Sequence, residues 1–187
     1  MKRRFILATS CAVLLSGCAS TTVHNWRIAA VPGPVQGGTG MRIGVRSIGL
    51  PGALNQSGVP KPGGAYAADS FQNDLWAAPL AAMLQSAMVQ NLAQRLPSDT
   101  VLADGGAIGA APQQLVEIQI LAFTPDAAGN ITLTAQLATR PASKQAWQMQ
   151  NFTATAAGGQ MAETIAAAMS ALWGEAANHL AAMLARS

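Results

Sequence analysis

Three consecutive segments of strand-like alternation, enclosed between two long segments of helical periodicity, restrict this chain to very few folds. In 114–124, Val116, Ile118 and Ile120 fall on one face; in 130–139, Ile131, Leu133, Ala135 and Leu137 do; 145–155 holds Trp147, Met149 and Phe152. A two-residue period marks strands with one buried face. The connections Asp126-Ala127-Ala128-Gly129-Asn130 and Arg140-Pro141-Ala142-Ser143-Lys144 are turn chemistry, so an antiparallel meander is expected.

Upstream, 75–96 repeats Leu80, Met83, Leu84, Ala87, Met88, Asn91, Leu92 and Leu96 at three- and four-residue spacing. Asn73 or Asp74 is its candidate cap, Pro79 falls in its first turn, and Pro97 ends it. Downstream of Gly158-Gly159, 160–185 carries a broad stripe through Ile165, Met169, Leu172, Trp173, Ala176 and Leu180. A further strand is expected at 41–49, with Ile43, Val45 and Ser47 inward, another at 100–103, and a short edge strand at 66–71. Residues 55–64 read as a long loop, of the kind that is functional or mobile. Two amphipathic helices and a meander bury their apolar faces together only as helices on a sheet. The expected fold is a single α/β domain, a mixed and mostly antiparallel sheet packed with two long amphipathic helices.

The first eighteen residues have a different character. Lys2-Arg3-Arg4 precede an uncharged run over 5–15, and Leu15-Ser16-Gly17-Cys18 follows. A basic start, a short apolar run and small residues before a cut describe a secretory signal, too short for a permanent membrane span. The tetrapeptide resembles the bacterial lipobox, in which the cysteine sulfur receives a diacylglycerol and, after cleavage, the new N-terminus receives a further acyl chain such as palmitate. The expected organisation is a signal peptide at 1–17, a lipidated N-terminus and flexible tether at 18–40, with one aromatic anchor around Trp26, and a folded domain at 41–187. Three acyl chains exceed the single chain that binds membranes only marginally. Ala19, rather than an aspartate, follows the cysteine, and by resemblance to Gram-negative lipoproteins this sorts the protein to the periplasmic face of the outer membrane.

Removal of Lys2, Arg3 and Arg4 leaves eight of the eleven basic residues against eight acidic ones, so the formal charge of +3 belongs to the precursor. No basic field remains that would argue for nucleic acid. Cys11 lies in the signal and Cys18 would carry lipid, leaving no thiol for a disulfide. His24 and His179 have no partner at metal-ligand spacing, and His179 is expected to border the core or solvent. The acidic residues are scattered singly, and neither a nucleophile elbow nor a phosphate loop occurs. Gly105 to Gly109 reads as a loop. These observations yield no catalytic residue, no metal site and no cofactor beyond the covalent lipid on Cys18; an enzyme is not expected.

The order of lipobox, Trp26-Arg27-Ile28, Arg42-Ile43-Gly44-Val45, Leu50-Pro51, a polar loop and Asp74-Leu75-Trp76-Ala77-Ala78-Pro79-Leu80 resembles the ABC-type transport auxiliary lipoproteins of the PqiC/YmbA kind. Trp76 to Leu80 is its most specific part; Leu75 and Ala78 stand where relatives tend to carry Arg and Glu. The resemblance implies a non-catalytic outer-membrane component of an ABC transport system, contacting a periplasmic mammalian-cell-entry (MCE) subunit and moving phospholipid or similar lipids between membranes. Some relatives assemble as rings, and the resemblance extends a homo-oligomeric ring to this chain as an expectation. Two alternatives stand beside it: an assembly lipoprotein resembling TolB-like or LptE-like adaptors, and a periplasmic-face carrier that itself holds acyl chains.

Two features suit a partner or a lipid. Trp76, with Pro79 and Leu80, is either an exposed partner contact or a staple of loop onto helix. Met83, Met88, Met149, Met161, Met169 and Met183 either line an adaptable groove or fill the core, and the core is the expected place.

Overall fold

A computed structural model describes residues 22–186. In chain order they form β1 (His24–Trp26), β2 (Arg42–Val45), β3 (Gly58–Pro60), β4 (Ser70–Trp76), α1 (Leu80–Arg95), β5 (Thr100–Ala103), β6 (Gln114–Pro125), β7 (Asn130–Pro141), β8 (Gln148–Ala157) and α2 (Ala162–Leu184). The meander forms as expected: β6 pairs with β7 and β7 with β8, all antiparallel. At the first hairpin the Asp126 carboxylate accepts the Asn130 N–H at 2.8 Å, and Gly129 supplies the positive φ of 84°.

The meander is extended by β2 and β5, giving the order β5-β2-β6-β7-β8, in which β2 is parallel to both neighbours. Parallel strands need a long crossover. The chain between β2 and β5 supplies it, carrying β3, β4 and α1. The inner face of the sheet meets α1 and α2 through Ile118, Phe123, Ile131, Leu133 and Leu137, all almost wholly buried. Trp173 lies at the centre, its indole N–H bonded to the Leu84 carbonyl at 2.9 Å and its ring 6.4 Å from that of Phe123. Burying an aromatic together with its polar atom is how a large ring enters a core without leaving a donor unpaired.

Several expectations need correction. The single α/β domain with two long helices is as expected, but the strands of the described residues divide into two sheets: β1, β4 and β3 form a second, three-stranded one with β4 in the middle. The helix expected from residue 75 begins at Leu80, because Leu75 and Trp76 pair with Asn25 and Trp26 as strand. Asp74 therefore caps nothing; its carboxylate accepts the Trp26 indole N–H at 2.9 Å. Pro79 stands at the N-cap rather than inside the first turn, and it disfavours helical backbone at the residue before it. The edge strand expected at 66–71 starts only at Ser70 and is central, and the loop expected at 55–64 contains β3 with Val59 wholly buried. Strand β2 stops at Val45; Ser47 is exposed and Ile48 turns inward instead, as Gly49 bridges to Gln119. Trp147 precedes β8 and stacks under the Arg140 guanidinium at 4.8 Å.

Within the stretch expected as a flexible tether, His24–Trp26 is a strand and Ile28 is 6 % exposed in the core. The ordered domain thus reaches well ahead of residue 41.

Candidate interaction site

The segment after β1 runs as a strap over the two helices. Ala29 N–H donates to Ser170 Oγ on α2 at 3.1 Å, and Val31 N–H to Asn91 Oδ1 on α1 at 2.8 Å. Arg95, 1 % exposed, ties the three pieces together. Its guanidinium donates to the Val31 carbonyl at 3.1 Å, the Gly174 carbonyl at 3.1 Å, the Asn91 carbonyl at 2.9 Å and Asn178 Oδ1 at 2.5 Å. The Gln36 N–H returns to the Arg95 carbonyl at 2.6 Å. Among the described residues no carboxylate meets this cation, and burial pushes its pKa down from the ordinary value. Carbonyl dipoles, including one from the last turn of α1, carry the compensation instead. Sequence reasoning missed Arg95, since an arginine at the end of an amphipathic stripe ordinarily lies in solvent.

The residues expected to touch a partner are mostly inside. Trp76 is 7 % exposed and Leu80 3 %, whereas Pro79 is exposed. The Trp76 N–H bonds the Ser57 carbonyl at 2.7 Å, and the Ala77 N–H bonds that of Trp26 at 2.8 Å, so this stretch joins β1 to β3. Packing, not an exposed anchor, is the place of Trp76. Leu15, Ser16, Gly17, Cys18 and Ala19 lie outside the described residues.

Among the described residues no helix covers the opposite face of the meander. Gln119, Met149, Asn151 and Thr153 are exposed there, and Thr132 and Thr155 share a hydroxyl hydrogen bond of 2.9 Å. At its edge Arg46 bonds Glu117 at 2.5 Å and Asp104 at 3.2 Å, and these two hydrogen bonds, Glu117 first, raise its pKa. Two of the acidic residues that look scattered in sequence, Asp104 and Glu117, are brought together by strand register. Val45 stands opposite both Ala103 and Val116, so the next residue on each strand is Arg46, Asp104 or Glu117. A groove of about 360 Å³ runs from Arg46 and Glu117 past Gln119 and Gln136 to Met149.

Met83, Met88, Met169 and Met183 are buried in the core, as expected, while Met149 and Met161 are exposed. His179 is half-buried, bonded to Gln150 at 2.5 Å with its ring 5.8 Å from Phe152. Among the described residues no cluster of three metal-ligating side chains occurs, and no helix is long and apolar enough to cross a membrane.

Residues 27–181 match the family described as the ABC-type transport auxiliary lipoprotein component. The chain belongs to this family. Two crystal structures share the fold of this auxiliary lipoprotein. One, of an uncharacterized protein, has a TM-score of 0.74 at 15% identity, covering 88% of this chain and 99% of the other. A second, from Xanthomonas campestris, has a TM-score of 0.68 at 14% identity, covering 86% and 93%. No curated protein matches the chain in sequence. The auxiliary lipoprotein is thus a component of ABC-type transport, and the match begins at the strap that opens its domain.

Proposed function

We propose that this auxiliary lipoprotein is a non-catalytic adaptor at the periplasmic face of the outer membrane, anchored by acylated Cys18 and contacting the MCE subunit of an ABC-type intermembrane lipid transport system. The family match over residues 27–181 carries the reading. The strap supports it, because hydrogen bonds from Ala29 and Val31 to the two helices hold the beginning of the domain only a few residues from Cys18. With Trp76 and Leu80 buried, the sheet face from Arg46 to Met149 is the surface this reading assigns to a protein partner.

Density fractionation of the membranes, followed by affinity capture of the full-length protein and mass spectrometry, tests this. Recovery in outer membrane together with an MCE protein is expected, with an oligomer mass if a ring forms. Recovery in inner membrane, or capture that reproducibly lacks an MCE protein, refutes it. Acyl chains retained in the domain by native mass spectrometry would favour a carrier instead.

A further inference from the structure

Tyr66, the only tyrosine of the chain, is wholly exposed at the tip of a braced turn. The Ala67 N–H bonds the Gly64 carbonyl at 2.9 Å, closing the turn around Ala65 and Tyr66. Below it the Lys61 N–H bonds the Asp69 carbonyl at 2.9 Å, and the Gln56 amide bonds the Ala68 carbonyl at 3.3 Å. These bonds hold the turn in a form that leaves the Tyr66 ring exposed. Around it lie Pro62, Gly63, Gly64, Ala65, Ala67 and Ala68, with one lysine and one aspartate closing the loop.

Its position relative to the anchor follows from strand direction. β1 is parallel to β4, with His24 opposite Asp74, so the N-terminal end of β1 faces the Ser70 end of β4. Ser70 lies four residues before Asp74, roughly 13 Å further in that direction at the strand rise. The turn of Tyr66 lies beyond it. Cys18 stands six positions before His24, a reach of at most about 22 Å. The hairpin between β6 and β7 ends at the same place, since Gly63, Gly64, Ala65 and Ala67 share a cleft with Ala127 and Ala128. Gln160 bonds the Ala127 carbonyl at 3.4 Å, bringing exposed Met161 beside the hairpin, and half-exposed Val23 precedes β1.

Resting on the acylation of Cys18, we propose that this end of the domain docks on the bilayer, with Tyr66 seated among the lipid headgroups as a second, protein-borne contact. Tyrosine suits that depth, its ring facing acyl chains and its hydroxyl facing water. The loop carries no net charge, so zwitterionic and anionic lipids should serve equally.

The mature chain has no cysteine other than Cys18, so a thiol introduced elsewhere labels uniquely once Cys18 is acylated. Full-length lipidated Tyr66→Cys and Ser143→Cys proteins, each carrying an environment-sensitive fluorophore, are reconstituted into phosphatidylethanolamine vesicles with and without phosphatidylglycerol and nitroxide-labelled lipid. Ser143, in the turn between β7 and β8, lies at the far end of the meander. The expected result is blue-shifted emission at position 66 and at least threefold stronger quenching there than at 143, in both vesicle types. Equal quenching at the two positions, with intact mass confirming the acyl chains, overturns the docking and leaves the anchor standing. Intact mass without acyl chains overturns the anchor and the docking together.

Discussion

Gly33 passes so close to Arg95 that a β-carbon on it would stand 2.2 Å from Nη2 and 2.5 Å from the Asn178 side-chain oxygen. Only glycine lets the strap cross the guanidinium, and only the guanidinium has enough forked donors to hold strap and both helices at once. Gly33→Ala is therefore expected to displace the strap, and Arg95→Ala to leave several buried carbonyls unpaired, costing about 3 kcal/mol or more. Urea unfolding gives the stability loss, and hydrogen exchange should rise first at residues 28–36. Unchanged exchange there in Arg95→Ala would deny it the role of a clasp. Arg95→Lys should restore only part of the loss.

Trp76→Ala should cost about 3 to 5 kcal/mol, the usual loss for a large buried aromatic. Partner capture, normalised to folded protein, should be unchanged. A melting curve within the error of wild type combined with weakened capture would return Trp76 to the surface role.

Asp126 titrates below the ordinary carboxylate range, chiefly because its ionised form accepts the Asn130 backbone N–H and then the Asn130 side chain. A depressed folded-state pKa gives a contribution that is complete above the unfolded value of about 3.9 and fades as pH falls through the folded one. Asp126→Asn keeps the shape of the turn and removes the titration. Tm measured from pH 6 to pH 2.5 should show the wild-type advantage shrinking below about pH 4. A constant difference across that range would contradict the assignment.

Cys18→Ala should abolish acylation and normal cleavage. Metabolic labelling with a fatty acid, with membrane fractionation, checks it; a labelled, normally processed protein in the outer membrane would show that the lipobox reading is wrong.

The parts legible beforehand are those whose burial is expressed locally. Ile118, Leu133 and Leu137 alternate within their own strands, and α2 was bounded to within about two residues because its stripe runs unbroken, the usual uncertainty of a helix end. Trp76 was misplaced because 75–96 contains enough apolar spacing to look helical from its first residue. What makes Leu75 and Trp76 a strand is pairing with Asn25 and Trp26, some fifty residues earlier, and a parallel pair of that separation leaves no periodic trace. The triad of Arg46, Asp104 and Glu117 was invisible for the same reason. Each is an ordinary surface charge until three strands align.

The strap also sets an order in time. Ala29 is bonded to a residue 141 positions later, and Arg95 to one 83 positions later, so a strap made early in synthesis closes fully only once the C-terminal helix exists. Until Ser170 and Gly174 have been made, β1 can pair with β4 and Val31 can reach Asn91, but the strap has no second helix to close against. Closure of the domain over its own beginning therefore waits for its end, and the buried Arg95 cation gains its full set of acceptors only at that last step.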